Sequence, residues 1–294
     1  MAVKNQLFTK TVRLCAVLML LPLFFGAAAQ AQVMRFTYAY YYKQSAEDSG
    51  YRTAQDMILD WDGDRSVFYS EATFLCDSLG MLAFDRDGNI ADEEKYAELT
   101  RMPPGGYENA LQIDYRQNRF CVIYDETFVR VFGRGTLALP AWELLDEERE
   151  LKGYRCKKAV CDHYGRRWTA WYTEEIPVNA GPWLLWGLPG VIVGATDSGQ
   201  LFQFVLHWVE EADRSRYDAV DYNYQERRVR RRYEMSYEDA SRFWTRLNTD
   251  QDFQGEVTGR RGGWSVGPDG VRKDLSELRL RYIPLVPDSY WKKK

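Results

Sequence analysis

The sequence predicts an α+β domain: a mostly antiparallel β-sheet built from hairpins, with a short helical insert over about residues 66–104 and one helix in the C-terminal region. Three observations carry this. Runs of β-branched and aromatic residues recur along the chain and are separated by turn pairs such as Asp62-Gly63, Gln117-Asn118 and Tyr164-Gly165. The strand pattern lapses once, over residues 70–102, where apolar side chains recur at helical spacing. A second helical pattern opens at Ser236, a residue type that caps helix N-termini by accepting a backbone N–H.

The elements follow in order. Residues 34–43 are rich in Phe and Tyr and read as a first strand. Residues 57–61 read as the second, Asp62-Gly63 turns it, and 66–69 return beside it. Residues 70–82 place Phe74, Leu75, Leu79 and Leu82 on a helical repeat, and 92–102 read as a helix charged on one face. Strands resume at 110–115, turn at Gln117-Asn118 into 120–124, and continue at 127–132. Residues 142–151 are acidic and read as a short turn of helix. Residues 154–161 and 167–173 pair about Tyr164-Gly165; Trp168, Ala170 and Tyr172 share one face of the second arm, and Thr169, Trp171 and Thr173 the other. Pro189-Gly190 reads as a type II turn, with glycine at the position of positive φ. Residues 191–196 and 201–209 then pair, and Phe202, Phe204, Leu206 and Trp208 line one face, assigned to the core. Residues 236–247 form the C-terminal-region helix, 250–274 a polar loop or loose hairpin, and 282–286 a closing strand or tail.

Residues 1–31 read as a signal peptide. Lys4, Lys10 and Arg13 precede an apolar run over 14–25, about a dozen residues against the ~20 needed to cross a bilayer core. Ala29-Gln30-Ala31 fits a cleavage site. The expectation is an exported protein, periplasmic, outer-membrane-associated or secreted, with residues 32–294 as a single domain and no transmembrane span in the mature chain. The formal net charge of −4 gives no global attraction to nucleic acid, and none is expected as a partner. Of the five cysteines, Cys15 falls in the leader. Cys76, Cys121, Cys156 and Cys161 remain, an even number that suggests disulfides with three possible connectivities. Cys156 and Cys161 are five apart and point to opposite faces of a flat strand, which favours pairing each with Cys76 or Cys121; four buried thiols are the alternative.

Gly187-Leu188-Pro189-Gly190-Val191-Ile192 resembles the signature of the GLPGLI family of exported proteins from Gram-negative bacteria, with Val191 in place of leucine. The resemblance extends through Gly153-Tyr154-Arg155-Cys156, Gly165-Arg166-Arg167-Trp168 and Ile176-Pro177, with a weaker echo at Ser66-Val67-Phe68-Tyr69. It implies an exported, β-rich, uncharacterised protein and brings no established catalytic residues. The signature itself reads as a structural turn between strands, with a ligand-contacting loop as the alternative.

No catalytic residue is assigned. His163 and His207 are the only histidines, and neither sits in a recognisable nucleophile context. Cys156, Cys161 and His163 fall short of the four ligands of a structural zinc site, so no metal and no cofactor is expected. Asp60-x-Asp62-Gly63-Asp64 and Asp85-x-Asp87-Gly88-Asn89 lack the EF-hand spacing and read as turns. Arg227, Arg228, Arg230, Arg231 and Arg232 read as a solvated strand edge, or as a contact for phosphates or an acidic partner. Aromatic residues make up 15% of the chain and ten are tryptophan, more than turns and edges need. Trp171, Trp183 and Trp186 flank the signature and are the candidate ligand-binding residues. The functional expectation is a non-catalytic binding or accessory protein of the cell envelope, with an aromatic groove near residues 171–190 for an apolar ligand or an envelope protein. An envelope-acting hydrolase and an interaction scaffold subunit are the alternatives.

Overall fold

Twelve strands hydrogen-bond side by side in one sheet in the computed structural model. The structure describes residues 32–43, 50, 53–85, 89–102, 109–126, 129–214, 217, 231–258, 264–266, 272–274 and 285–292. The expected leader, Asp87-Gly88 and Arg227, Arg228 and Arg230 lie outside the described residues. No helix among the described residues is long and apolar enough to cross a membrane.

The first half of the sheet is an antiparallel meander: β1 (Val33–Tyr42), β2 (Thr53–Trp61), β3 (Arg65–Ser70), β4 (Asn109–Asp114), β5 (Arg119–Glu126) and β6 (Val129–Thr136). Between β3 and β4 stand α1 (Glu71–Ala83) and α2 (Glu93–Arg101). Ser70 Oγ accepts from Thr73 N, and an Asp92 carboxylate oxygen accepts from Lys95 N. Each satisfies a first-turn N–H that has no partner within its helix. The insert therefore begins at Glu71, since β3 runs on to Ser70. The second half is another meander: β7 (Glu143–Leu151), β8 (Tyr154–His163), β9 (Arg166–Thr173), β10 (Val191–Asp197) and β11 (Phe202–Ala212). The helices α3 (Tyr237–Thr249), α4 (Gln251–Thr258) and α5 (Asp288–Trp291) follow β12 (Arg231–Ser236), and β13 (Trp264–Val266) pairs with β14 (Arg272–Asp274) in a separate small sheet.

Two pairings overturn the expectation of an antiparallel sheet built from hairpins. β11 pairs with β1 and joins the two meanders across most of the chain. β12 lies parallel to β6, so the twelve-stranded sheet is mixed. Local turn chemistry marks hairpins, but neither of these pairings has a turn between its strands. The acidic segment expected as a helical turn is also a strand. Among the described residues β7 pairs with β8 alone and forms an edge of the sheet, where a row of carboxylates keeps water on the open side and discourages further pairing.

One face of the sheet holds the larger core, with Phe36, Tyr38, Leu59, Phe68, Trp168 and Phe204 buried among one another. α3 closes part of it through Ala240, Trp244 and Leu247, and the Trp244 ring stacks on Tyr124 at 5.1 Å. The opposite face carries Ile58, Val67, Tyr69 and Ile123 beneath Phe74 of α1. Of the four apolar residues on the α1 repeat, Phe74 is buried, whereas Leu75 and Leu82 face solvent. On that same face a buried ion pair joins neighbouring strands: Arg35 Nε and Nη2 donate to Asp60 at 2.7 and 2.8 Å, and Tyr69 Oη donates to Asp60 at 3.0 Å.

A bulge alters one core assignment. Tyr38 pairs with Leu206 but Thr37 pairs with Trp208, leaving His207 as the extra residue. Phe202, Phe204 and Leu206 point into the core as expected, and past the bulge the alternation inverts, leaving Trp208 70% exposed. The type II turn is corrected as well. Positive φ falls at Gly187 (87°), not at Gly190. Gly190 answers a different need, since the Thr173 carbonyl occupies the space its Cβ would take.

Candidate functional site

β9 alternates two kinds of side chain. Trp168, Ala170 and Tyr172 turn into the core and are buried, which places Trp171 on the opposite face, half-buried. Trp171 lies opposite Gly194 on β10, and Gly194 lies opposite Val205 on β11. With no side chain at Gly194, the lane between the indole and Val205 stays open. The result is a groove of about 170 Å³. Leu151, Val193 and Ala195 line it with apolar atoms, and Thr169, Thr196 and Gln203 add polar groups.

Cations crowd the indole. The Arg149 guanidinium stands 3.9 Å from the Trp171 ring centre and the Lys158 ammonium 5.8 Å from it. Such contacts are favourable by about 0.5–2 kcal/mol, depending on exposure. Lys158 is neutralised by Glu147 at 2.9 Å. Arg149 and Lys152 are exposed, and both line the groove.

The three candidate tryptophans do not converge. Trp183 is buried, with its ring centre 5.8 Å from Trp168 and 5.6 Å from Tyr164, inside the larger core. Trp186 ties two loops together: its Nε1 donates to the Ala138 carbonyl at 3.1 Å, and its own carbonyl accepts from Trp142 Nε1 at 2.8 Å. Trp171 alone faces the groove. Within the signature, Leu188, Val191 and Ile192 are buried and Pro189 is exposed. Gly187 N donates to Asn179 O at 2.7 Å, and Val191 N to Ile176 O at 3.0 Å. The buried Tyr38 hydroxyl donates to Ile192 O at 2.8 Å. These contacts hold the loop down on the core face, away from the groove.

None of the other candidate reactive groups lines the groove. Among the described residues neither histidine hydrogen-bonds a serine, threonine or cysteine. His163 is 8% exposed, and burial lowers its pKa to about 4, opposed by a hydrogen bond to the Leu184 backbone. Cys76, Cys121, Cys156 and Cys161 stand as free thiols. Cys156 and Cys161 both lie on β8. Burial pushes Cys121 and Cys156 up to about 11 and Cys161 to about 12, which keeps them protonated and poorly nucleophilic. Cys76 Sγ lies 3.9 Å from Met102 Sδ. Among the described residues no group of three or more His, Cys, Asp or Glu side chains is placed to hold a metal ion. Asp60 is consumed by Arg35, and Asp62 accepts from Asp64 N and Arg65 N as a turn residue.

Sequence reasoning named Trp171 because it flanks the signature, and did not name Arg149, Leu151 or Lys152, because the β7 segment read as helix. It also missed Gly194, whose part follows from the β9–β10 register. A single glycine inside a β-rich run was the available signal.

Residues 165–194 match a family described as a protein of unknown function (Porph_ging). That stretch contains both Trp171 and Gly194. No curated protein matches the chain. Two solved structures, of PNGF-II in a C2 and in a P21 space group, align over 71% of this chain at 16% identity with a TM-score of 0.46. The aligned part covers 32% and 33% of those chains, so this chain spans about a third of the length of the solved structures it matches.

Proposed function

We propose that this is an exported, non-catalytic binding or accessory protein of the cell envelope, of the GLPGLI type, which holds one apolar group of a ligand or partner in the Trp171 groove. The observation that carries the reading is the open lane over Gly194 beside a half-buried indole. Its volume of about 170 Å³ sets the scale of the occupant. An apolar cavity of about 150 Å³ accepts benzene, whereas drug-sized ligands occupy roughly 300–1,000 Å³. One ring or one aliphatic side chain fits; a lipid tail does not. A single buried anchor of this kind, ringed by weaker contacts, is how protein interfaces concentrate their binding energy. The leader-like residues 1–31 support export, and the signature loop supports the family reading through its local likeness alone.

The test is a titration of the isotopically labelled protein with benzyl alcohol, following the Trp171 indole N–H signal, assigned as the one missing from Trp171→Phe. A saturable shift in the wild type that vanishes in Gly194→Val, where the added methyls fill the lane, supports the reading. An indole signal that stays put to the solubility limit of the probe removes it.

A further inference from the structure

Seven cationic side chains lie between Glu143 and Thr173. Five are neutralised by carboxylates: Arg155 by Glu148 at 2.6 Å, Lys157 by Glu174 at 2.8 Å, Lys158 by Glu147 at 2.9 Å, Arg166 by Asp197 at 3.2 Å and Arg167 by Asp162 at 3.1 Å. The other two, Arg149 and Lys152, have no carboxylate within 4.0 Å among the described residues. Both line the Trp171 groove. Arg149 stacks on the indole instead, a contact that orients the guanidinium without cancelling its charge. Of these seven cations, the two without a carboxylate partner are therefore the two that line the apolar slot.

We infer that the groove captures the C-terminus of a partner polypeptide, its last side chain apolar and seated over Gly194, its terminal carboxylate on Arg149 and Lys152. This rests on reading the groove as a binding site. The C-terminal residue is the unit of a polypeptide that carries a carboxylate and an apolar side chain on the same carbon, which matches a slot for one side chain with cations at its rim. Capture of a chain-terminal carboxylate is a recurrent mode of peptide recognition, and a guanidinium can grip both carboxylate oxygens at once. A fatty acid shares the charge but exceeds the volume. An acidic sugar shares the charge and the stacking ring, but each of its hydroxyls needs a hydrogen-bonding partner, and beside the two cations the groove offers only Thr169, Gln203 and a Thr196 hydroxyl that already donates to the Phe202 carbonyl.

The experiment titrates the labelled protein with N-acetyl-Gly-Ser-Gly-Ser-Leu bearing either a free carboxylate or a C-terminal amide, following the Trp171 indole signal. The free acid is expected to bind about ten-fold more tightly than the amide, the scale of one charge-assisted contact. Arg149→Gln removes that preference, and Lys152→Gln, on an exposed turn, reduces it. Equal binding of acid and amide overturns the inference and leaves the groove reading intact. So does a shift with benzyl alcohol but with neither peptide. A shift with glucuronate in the absence of one with the free-acid peptide overturns it in favour of a sugar. Silence with every probe overturns the groove reading itself.

Discussion

Gly194 lies directly opposite Trp171 across the β9–β10 pair, on a stretch of β10 where the register shifts between Ile192 and Gly194. The pairing puts the smallest residue beside the largest on one sheet face. A Cβ at Gly194 would meet nothing nearer than the Phe204 carbonyl at 3.8 Å and a Leu151 methyl at 3.9 Å, ordinary packing distances. The fold therefore tolerates a side chain here, and the groove exists because none is present.

Gly194→Val should abolish probe binding at Trp171 with little change in stability. Glycine inside a strand costs about 0.5–1 kcal/mol relative to alanine, and a β-branched residue suits the pleated backbone. Urea unfolding is expected to give a change within about 1 kcal/mol of wild type. A loss of several kcal/mol would mean that Gly194 is held for packing rather than for the groove.

Stability should fall with acid through His163. Burial lowers its folded pKa to about 4 from an ordinary value of 6.5, so the folded state holds the neutral ring while the unfolded chain takes up a proton below pH 6.5. The stabilisation is full above pH 6.5 and drains away as the pH drops from there to about 4. It amounts to about 3 kcal/mol at most over that window. Unfolding free energies measured at pH 7.5 and pH 4.5 should differ by less in His163→Gln than in the wild type. An unchanged difference would place the acid sensitivity elsewhere.

Asp60→Asn should be among the most damaging substitutions. It strips the buried Arg35 of its bidentate partner and weakens the acceptor for Tyr69. Burial opposes the guanidinium charge, but hydrogen bonding to Asp60 together with the electrostatic attraction of Tyr69, Asp60 and Glu71 outweighs it, raising the Arg35 pKa. Breaking one side of a buried pair costs about 3–5 kcal/mol, whereas replacing both sides with apolar residues is often neutral. The double variant Arg35→Met with Asp60→Leu is therefore expected to melt above Asp60→Asn alone, as read by calorimetry.

The two signature glycines should respond differently. Gly190→Ala drives a methyl into the Thr173 carbonyl, a backbone atom that cannot swing aside. Gly187→Asn keeps a residue tolerant of positive φ, and its nearest obstacle is the end of the exposed Leu139 side chain. Thermal melts should show a large loss for Gly190→Ala and a small one for Gly187→Asn. The reverse order would mean that the turn geometry, not the close approach, is what the signature protects.

What the sequence announces here is what is local. Asp62-Gly63 and Tyr164-Gly165 sit at hairpin turns, where Gly63, Tyr164 and Gly165 take positive φ, and Ser70 and Ser236 cap helices by reaching three residues ahead. The pairings of β11 with β1 and of β12 with β6 depend on partners far away in the chain, and no turn residue advertises them. The bulge at His207 is set by β1, which is why Trp208 read as core and is exposed. The candidate site divides along the same line. Strand alternation on β9 points Trp171 outward, but Arg149 and Leu151 reach it only because β7 is a strand. Trp183 and Trp186 were grouped with it by closeness in sequence, yet lie on the core side or against the residue 138–142 loop.

The seam between β1 and β11 bears on how the chain folds. Strands β2 to β10 can each find a neighbour close by in sequence, but the second edge of β1 stays open until β11 has been made and threaded back beside it. Such distant closure is slow, because the loop entropy is lost before its contacts form. A chain emerging from its N-terminus would first assemble β1 to β6 with a bare leading edge, then wait for its counterpart. Truncations ending before Phe202 should accordingly aggregate through β1 rather than leave a smaller soluble domain.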